Sequence, residues 1–188
     1  MRVITGDAKG RKLKGPLSTT TRPMQDKIKE ALFSALSSLE LDVYRVLDLY
    51  AGTGSIGIEA LSRGAEWADF VDQQRQACDV IRWNLAHTGF EHRSAVHQMS
   101  VTTFLGRAGK PYDLVVLDPP YADSGIASIL ELMGQSQLVK SGTILALGHW
   151  PKFDSAPEPE NLQLVTRRCH GDSCYSIYAV HRGTATHE

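Results

Sequence analysis

Apolar positions along the chain fall in short blocks parted by glycine-rich or polar stretches, and the blocks alternate between two periods. Short blocks at 45–49, 68–71, 95–98, 112–117 and 143–147 read as strands, with the buried-strand pattern clearest in Tyr-Asp-Leu-Val-Val-Leu at 112–117. Segments with helical spacing lie among them at 55–63, 74–88 and 125–135, and another precedes them at 25–39. Strand and helix in alternation predict an α/β fold, a parallel sheet with helices on both faces. Residues 2–13 suggest a short hairpin, and 162–168 with 173–181 suggest a closing antiparallel hairpin. The stretch 150–160, with Pro151, Pro157 and Pro159, is the least regular. No repeat divides the chain. The organisation expected is a basic arm over 1–24 followed by one domain over 25–188.

Two junctions carry chemistry. The first joins the strand at 45–49 to the helix at 55–63 through Gly52, Gly54 and Gly57, spaced as G-x-G-x-x-G, and Asp72 stands further along at the end of the next strand. That is also the fingerprint of a dinucleotide site, where the acidic residue holds a ribose. Asp48 argues against this. It lies at the end of the first strand, where a pyrophosphate over the turn would meet its carboxylate at a cost of roughly 1 to 4 kcal/mol. S-adenosylmethionine carries an ammonium and a sulfonium and no phosphate, so the same carboxylate attracts it. Asp72 can accept from ribose hydroxyls in either case, and three glycines at a strand-to-helix turn invite a close ligand.

The second junction is Asp118-Pro119-Pro120-Tyr121, directly after the strand at 112–117. An exocyclic amino nitrogen on a base is a poor nucleophile because its lone pair is delocalised into the ring. Two acceptors on its hydrogens, the Asp118 carboxylate and the Pro119 carbonyl, would pull it towards a tetrahedral, nucleophilic geometry. Two prolines fix the loop and add no donor. Tyr121 can stack on an extruded base.

On these residues the chain resembles the RsmD-type bacterial methyltransferases. The likeness runs through residues 21–33, from Thr21-Arg22-Pro23-Met24 onwards, through 47–65 and through Asp118–Tyr121. It extends to Arg2-Val3-Ile4-Thr5-Gly6 at the start and to residues 170–178 near the end, and so covers nearly the whole chain. The resemblance implies a Rossmann-like class I methyltransferase fold: a mostly parallel seven-stranded sheet with an antiparallel C-terminal hairpin and a short N-terminal hairpin and helix extension. It implies methylation of the exocyclic N2 of guanine in small-subunit (16S) ribosomal RNA with S-adenosylmethionine. By the same analogy Asp48, Tyr50, Gly52, Thr53, Gly54, Ser55, Asp72 and Ser100 would hold the cofactor. Asp118, Pro119, Pro120 and Tyr121 would hold the target base. Three positions depart from the family pattern: Met24 in place of Thr, Asp72 in place of Glu, and Met99-Ser100 in place of Gly-Asp. Asp72 keeps the carboxylate with a shorter reach, and Ser100 can still accept from an adenine amino group. Asp-Pro-Pro-Tyr is also compatible with amino-methylation of DNA adenine or cytosine, or of a protein amide. A cofactor-binding RNA chaperone without catalysis is a rival of another class, disfavoured by the intact Asp118.

Composition fits a small enzyme. The chain has 188 residues, 42% hydrophobic and 22% charged, with no apolar run of membrane-spanning length. Net charge is −1, but residues 1–30 hold eight basic against three acidic side chains, leaving −6 on the remainder. A basic segment on an acidic body suits nucleic-acid contact, and Lys9, Arg11, Lys12 and Arg22 are the candidates for it. Gly6, Gly10 and Gly15 suggest an exposed, adaptable arm. Cys78, Cys169 and Cys174 form no disulfide framework by count, which points to a cytoplasmic location. Cys169, His170 and Cys174 match no recognised zinc spacing, and no metal is expected. The expected partner is ribosomal RNA, free or in a 30S particle, met by a monomer.

Overall fold

The computed structural model describes residues 1–15, 26–40, 42–120, 125–152 and 160–181. Within them the chain runs α1 (Asp26–Ser38), β1 (Arg45–Leu49), α2 (Ser55–Ser62), β2 (Trp67–Asp72), α3 (Arg75–Thr88), β3 (Ser94–Gln98), α4 (Val101–Leu105), β4 (Leu114–Leu117), α5 (Ile126–Gln135), β5 (Ile144–His149), β6 (Leu162–His170) and β7 (Ser173–Val180). A single turn of 3-10 helix, Glu91–Arg93, precedes β3.

The seven strands form one sheet in the order β3-β2-β1-β4-β5-β7-β6. β3, β2, β1, β4 and β5 pair in parallel, while β7 pairs antiparallel with both β5 and β6. This is the class I methyltransferase architecture that the resemblance implied. The strand order reverses between β1 and β4. At such a switch point the connections leave on opposite sides and open a crevice beyond the strand ends.

Alternation along the central strands divides the core in two. Val46, Phe70, Leu114 and Val116 pack with Ile28, Leu32, Ile58, Leu61, Ile81 and Leu85, so α1, α2 and α3 cover one face. Leu47, Leu49, Val115 and Leu117 pack with Phe104, Ile129, Leu130 and Met133, so α4 and α5 cover the other. Apolar side chains on both faces account for the unbroken run Leu114–Leu117 of β4. Among the described residues, no helix is long and apolar enough to cross a membrane.

The N-terminal segment corrects an expectation. Residues 1–15 are not an adaptable arm: Val3, Ala8 and Leu13 are buried, and a single antiparallel bridge joins Arg2 to Lys12. Two side chains of α2 fasten the segment. Glu59 accepts the Ile4 and Thr5 amide hydrogens at 2.8 and 3.0 Å. Ser62 Oγ accepts from the Ala8 amide at 2.9 Å and donates to the Thr5 carbonyl at 2.6 Å. Gly6 sits so close that a Cβ would lie 1.7 Å from the Ser62 carbonyl oxygen, so this glycine serves close approach and not mobility. Lys29 Nζ, fully buried, donates to the Arg2 carbonyl at 2.8 Å and lies 3.6 Å from Glu59 Oε2. Counted above among the basic residues, Lys29 is thereby excluded from any nucleic-acid contact.

A second correction concerns the cysteines. Cys169 and Cys174 face each other across β6 and β7 and are joined by a disulfide, while Cys78 is free and buried. Only the strand register shows this pairing. The two sulfurs, bonded to each other, are not available to a metal, and the cysteine count carries no argument about compartment.

Candidate active site

The crevice at the switch point gathers three carboxylates. Asp48 is the fourth residue of β1 and shares its sheet face with Val46, beneath the first turn of α2. Its Oδ2 accepts the Gly57 amide hydrogen at 2.9 Å, satisfying one of the orphan N–H groups at the helix start. Gly54, at φ 73°, begins that helix without a side-chain cap of its own, so the strand carboxylate takes over. Asp48 is 1% exposed, and burial pushes its carboxyl up to about 8, with repulsion from Asp118 and Asp72 adding to the rise.

Asp72 closes β2, the neighbour of β1. Its Oδ2 accepts the Gly52 amide hydrogen at 2.9 Å and its Oδ1 that of Gln74 at 2.8 Å. The carboxylate therefore shapes the glycine loop as well as facing the crevice. Each oxygen keeps a second lone pair for a ligand hydroxyl.

The three glycines have different reasons to be glycine. At Gly57 a Cβ would lie 2.4 Å from Phe70 Cε1 and 3.1 Å from Asp48 Oδ2, so its smallness lets α2 settle on β2. Gly54 combines a left-handed backbone with close contact to Ile81 and Phe70. Gly52 alone has space above it, the nearest atom to a Cβ being the Tyr50 carbonyl at 3.8 Å. Gly52 and Gly54 both have the left-handed backbone that favours glycine, Gly52 with open space above it, and packing explains Gly57. Tyr50, just before the loop, has φ 57° without being glycine, the kind of backbone strain that gathers at binding sites. Thr53 in the loop and Ser55 at the start of α2 are buried.

Asp118 follows β4, whose register beside β1 sets Leu117 against Leu49. Its amide donates to the Leu49 carbonyl at 3.4 Å, holding the start of the Asp-Pro-Pro loop against the end of β1. Burial pushes the Asp118 carboxyl up to about 7; the residue is partly exposed, and its rise is smaller than that of Asp48. Pro119 is buried and Pro120 exposed. Tyr121, Arg22 and Met24 lie outside the described residues.

Ser100 has another occupation. Its Oγ accepts the Thr103 amide hydrogen at 3.2 Å as the cap of α4, a helix the sequence reading did not foresee, and lies 2.7 Å from Thr103 Oγ1. Lys9, Arg11 and Lys12 are exposed on the N-terminal segment, with the Arg11 guanidinium donating to the His87 carbonyl.

Asn84 was not anticipated. Fully buried on α3, its Nδ2 donates to the Thr53 carbonyl at 2.9 Å and to the Lys14 carbonyl at 3.2 Å, and its Oδ1 accepts the Lys14 amide hydrogen at 2.7 Å. One amide thus ties the glycine loop to the N-terminal segment. A polar residue on the apolar stripe Cys78, Ile81, Leu85 of α3 was the signal available.

The family model described as "Conserved hypothetical protein 95" matches residues 1–179. The chain belongs to this family, the RsmD-type methyltransferases. It is 33% identical over 181 residues to "Putative rRNA methyltransferase YlbH" of Bacillus subtilis, covering 95% of this chain and 98% of that protein. It is 28% identical over 178 residues to "Ribosomal RNA small subunit methyltransferase D" of Escherichia coli, covering 95% and 89%. The solved structure "Putative methyltransferase yhhF from Escherichia coli" superposes with a TM-score of 0.84 at 28% identity, covering 96% and 98% of the two chains.

Proposed function

We propose that this chain transfers a methyl group from S-adenosylmethionine to the exocyclic N2 of a guanine in small-subunit ribosomal RNA, free or within a 30S particle, as a cytoplasmic monomer. The observation that carries the reading is the convergence of Asp48, Asp72 and Asp118 on one crevice, with the Asp-Pro-Pro loop fastened beside the glycine loop. A pyrophosphate in that crevice would meet Asp72 and oppose ionisation of Asp48 and Asp118, whereas a ligand bearing an ammonium and a sulfonium favours their ionised forms. The relatives named for ribosomal RNA methylation support the substrate class.

Asp72 would hold the ribose hydroxyls, and Asp48 would face the cationic part of the cofactor beyond Gly52. Tyr50, Thr53, Gly54 and Ser55 shape that wall. With its hydroxyl engaged in capping α4, Ser100 offers the adenine amino group only its remaining lone pair. When bound, S-adenosylmethionine supplies an electrophilic methyl group. The chain's own residues prepare the acceptor. Asp118 and the Pro119 carbonyl accept from the two hydrogens of the guanine amino group and draw its lone pair out of the ring. Carboxylate Asp118, with a proton affinity near neutrality, can also take the proton the nitrogen gives up. Tyr121 and Pro120 would flank the extruded base.

Nucleoside mass spectrometry decides between targets. Small-subunit RNA or particles from a strain lacking the enzyme, incubated with the protein and labelled cofactor, should yield N2-methylguanosine. Methyladenosine, or label in protein or DNA alone, overturns the substrate reading and leaves the cofactor reading standing.

A further inference from the structure

Trp83 and His87 lie one turn apart on the solvent side of α3, their rings stacked at 4.9 Å between centroids and 15° from parallel. Trp83 is 47% exposed. A lone exposed aromatic has no functional meaning by itself. Here its surroundings supply one. Lys14 Nζ lies 5.6 Å from the indole centroid, and the Arg11 guanidinium is anchored on the His87 carbonyl. Both cations come from the N-terminal segment, and the residue next to Trp83 keeps that segment in place. Asn84 grips the Lys14 backbone through both its N–H and its carbonyl, and through the same side-chain nitrogen it reaches the Thr53 carbonyl of the glycine loop. The aromatic pair, the two cations and the ligand loop are therefore linked through one buried amide.

Rings bordered by cations are what a single strand of nucleic acid needs, since every base has a π-face and every linkage a phosphate. We propose that Trp83, backed by His87, is a stacking platform for an unpaired RNA base outside the active site, with Lys14 and Arg11 holding the adjoining phosphates. The proposal rests on the RNA-substrate reading above. A base moving onto the indole displaces the Lys14 ammonium from the ring to a phosphate, while Asn84 keeps the Lys14 backbone still. An RNA suits the patch because the exposed indole is bordered by the Lys14 ammonium and by the stacked His87 ring, while the acidic Asp79 one turn back is paired with Arg82.

The test is a titration with unstructured oligo(A) RNA, read by tryptophan fluorescence and by anisotropy of labelled RNA, on the wild-type chain, Trp83→Ala and Trp83→Phe. Stacking on Trp83 should quench wild-type fluorescence, and Trp83→Ala should lose that quenching. Its affinity should fall about 5- to 150-fold, the equivalent of one stacked base. Trp83→Phe should recover most of the affinity, and binding of S-adenosylhomocysteine and the thermal midpoint should not move in either variant. Equal RNA affinity for wild type and Trp83→Ala overturns the platform and leaves the proposed function intact. Weakened binding to assembled small subunits, with unchanged binding to naked RNA, overturns it in favour of a protein contact. Failure of the wild type to bind or methylate any RNA removes both readings.

Discussion

The carboxylate of Asp72, at the end of β2, holds the Gly52 amide 2.9 Å from its Oδ2, so the residue expected to grip a ribose also shapes the loop beneath the ligand. A side chain with both duties gives a mixed signature on removal. Asp72→Ala should weaken S-adenosylmethionine binding by about 1 to 3 kcal/mol, the usual cost of stranding polar partners. Asp72→Asn keeps an acceptor for the Gly52 amide and should lose less. Calorimetry reads both, and NADH in the same cell should give no binding heat. Tight NADH binding without a response to S-adenosylmethionine would sink the cofactor assignment.

Asp48 makes binding pH-dependent. Its carboxyl, raised from 3.8 to about 8, is protonated in the free protein at neutral pH, whereas a cationic ligand favours the ionised form. Binding should therefore release a proton, seen as a dependence of the calorimetric enthalpy on buffer ionisation heat, and affinity should rise with pH up to about 8. The linkage to stability has the opposite sense. Between about 4 and 8 the native state binds more protons at Asp48 than the unfolded state, so the stability this group contributes is lost as pH rises through that window. Asp48→Asn should flatten both profiles. A wild-type binding heat independent of buffer would count against the assignment.

Asp118 should separate binding from chemistry. Removing one preorganised electrostatic partner typically costs ~100- to 1000-fold in turnover, so Asp118→Ala should lose that much methyl transfer and retain cofactor affinity. Because the ionised carboxylate accepts from the amino group, kcat/KM of the wild type should rise with pH through about 7. Near-normal turnover in Asp118→Ala would mean that the active site lies elsewhere.

What could be read in advance followed from local pattern. The central strand β4 was visible because apolar side chains on both faces give the unbroken run Leu-Val-Val-Leu, its neighbours followed from strand–helix alternation, and both functional junctions stand at strand ends. α4 was missed because five residues, Val101–Leu105, span little more than one turn and show no period. Ser100, read as a ligand acceptor, also caps that helix, a second duty that the missed helix concealed. Glu59 lay inside a motif without signalling anything, since its partners Lys29, Ile4 and Thr5 are distant in the chain. The Cys169–Cys174 bond depends on the register of β6 with β7, which residue spacing does not determine.

Lys29 and Glu59 form a buried pair at 3.6 Å, and breaking such a pair strands a charge. Lys29→Met should destabilise the protein in urea unfolding, by less than the ~3 to 5 kcal/mol of a fully stranded charge because Arg63 and two amides still meet Glu59. Glu59 would then lack its only fully buried cationic neighbour among the described residues, with the half-buried Arg63 remaining at 2.9 Å. Because Glu59 also holds the N-terminal segment, the Ile4 and Thr5 amides should exchange faster with solvent in the variant. Unchanged exchange there would show that Val3, Ala8 and Leu13 secure the segment without the buried pair.

The N-terminal segment carries the final prediction. Lys9, Arg11 and Lys12 remain exposed after Lys29 is set aside, and the docking of residues 1–15 on α2 keeps them in fixed places. A rigid array of cations loses little conformational freedom on meeting phosphates, so each should count in the salt dependence of RNA binding. Changing all three to Gln should weaken RNA binding and flatten the log–log salt slope by ~0.7 per lost contact on a single strand. Arg11 spends one N–H on the His87 carbonyl and has others to offer, so Arg11→Gln alone should still reduce the slope. Cofactor affinity should hold, because none of the three touches the crevice. A triple variant with the wild-type salt slope would show that the RNA runs over another face of the molecule.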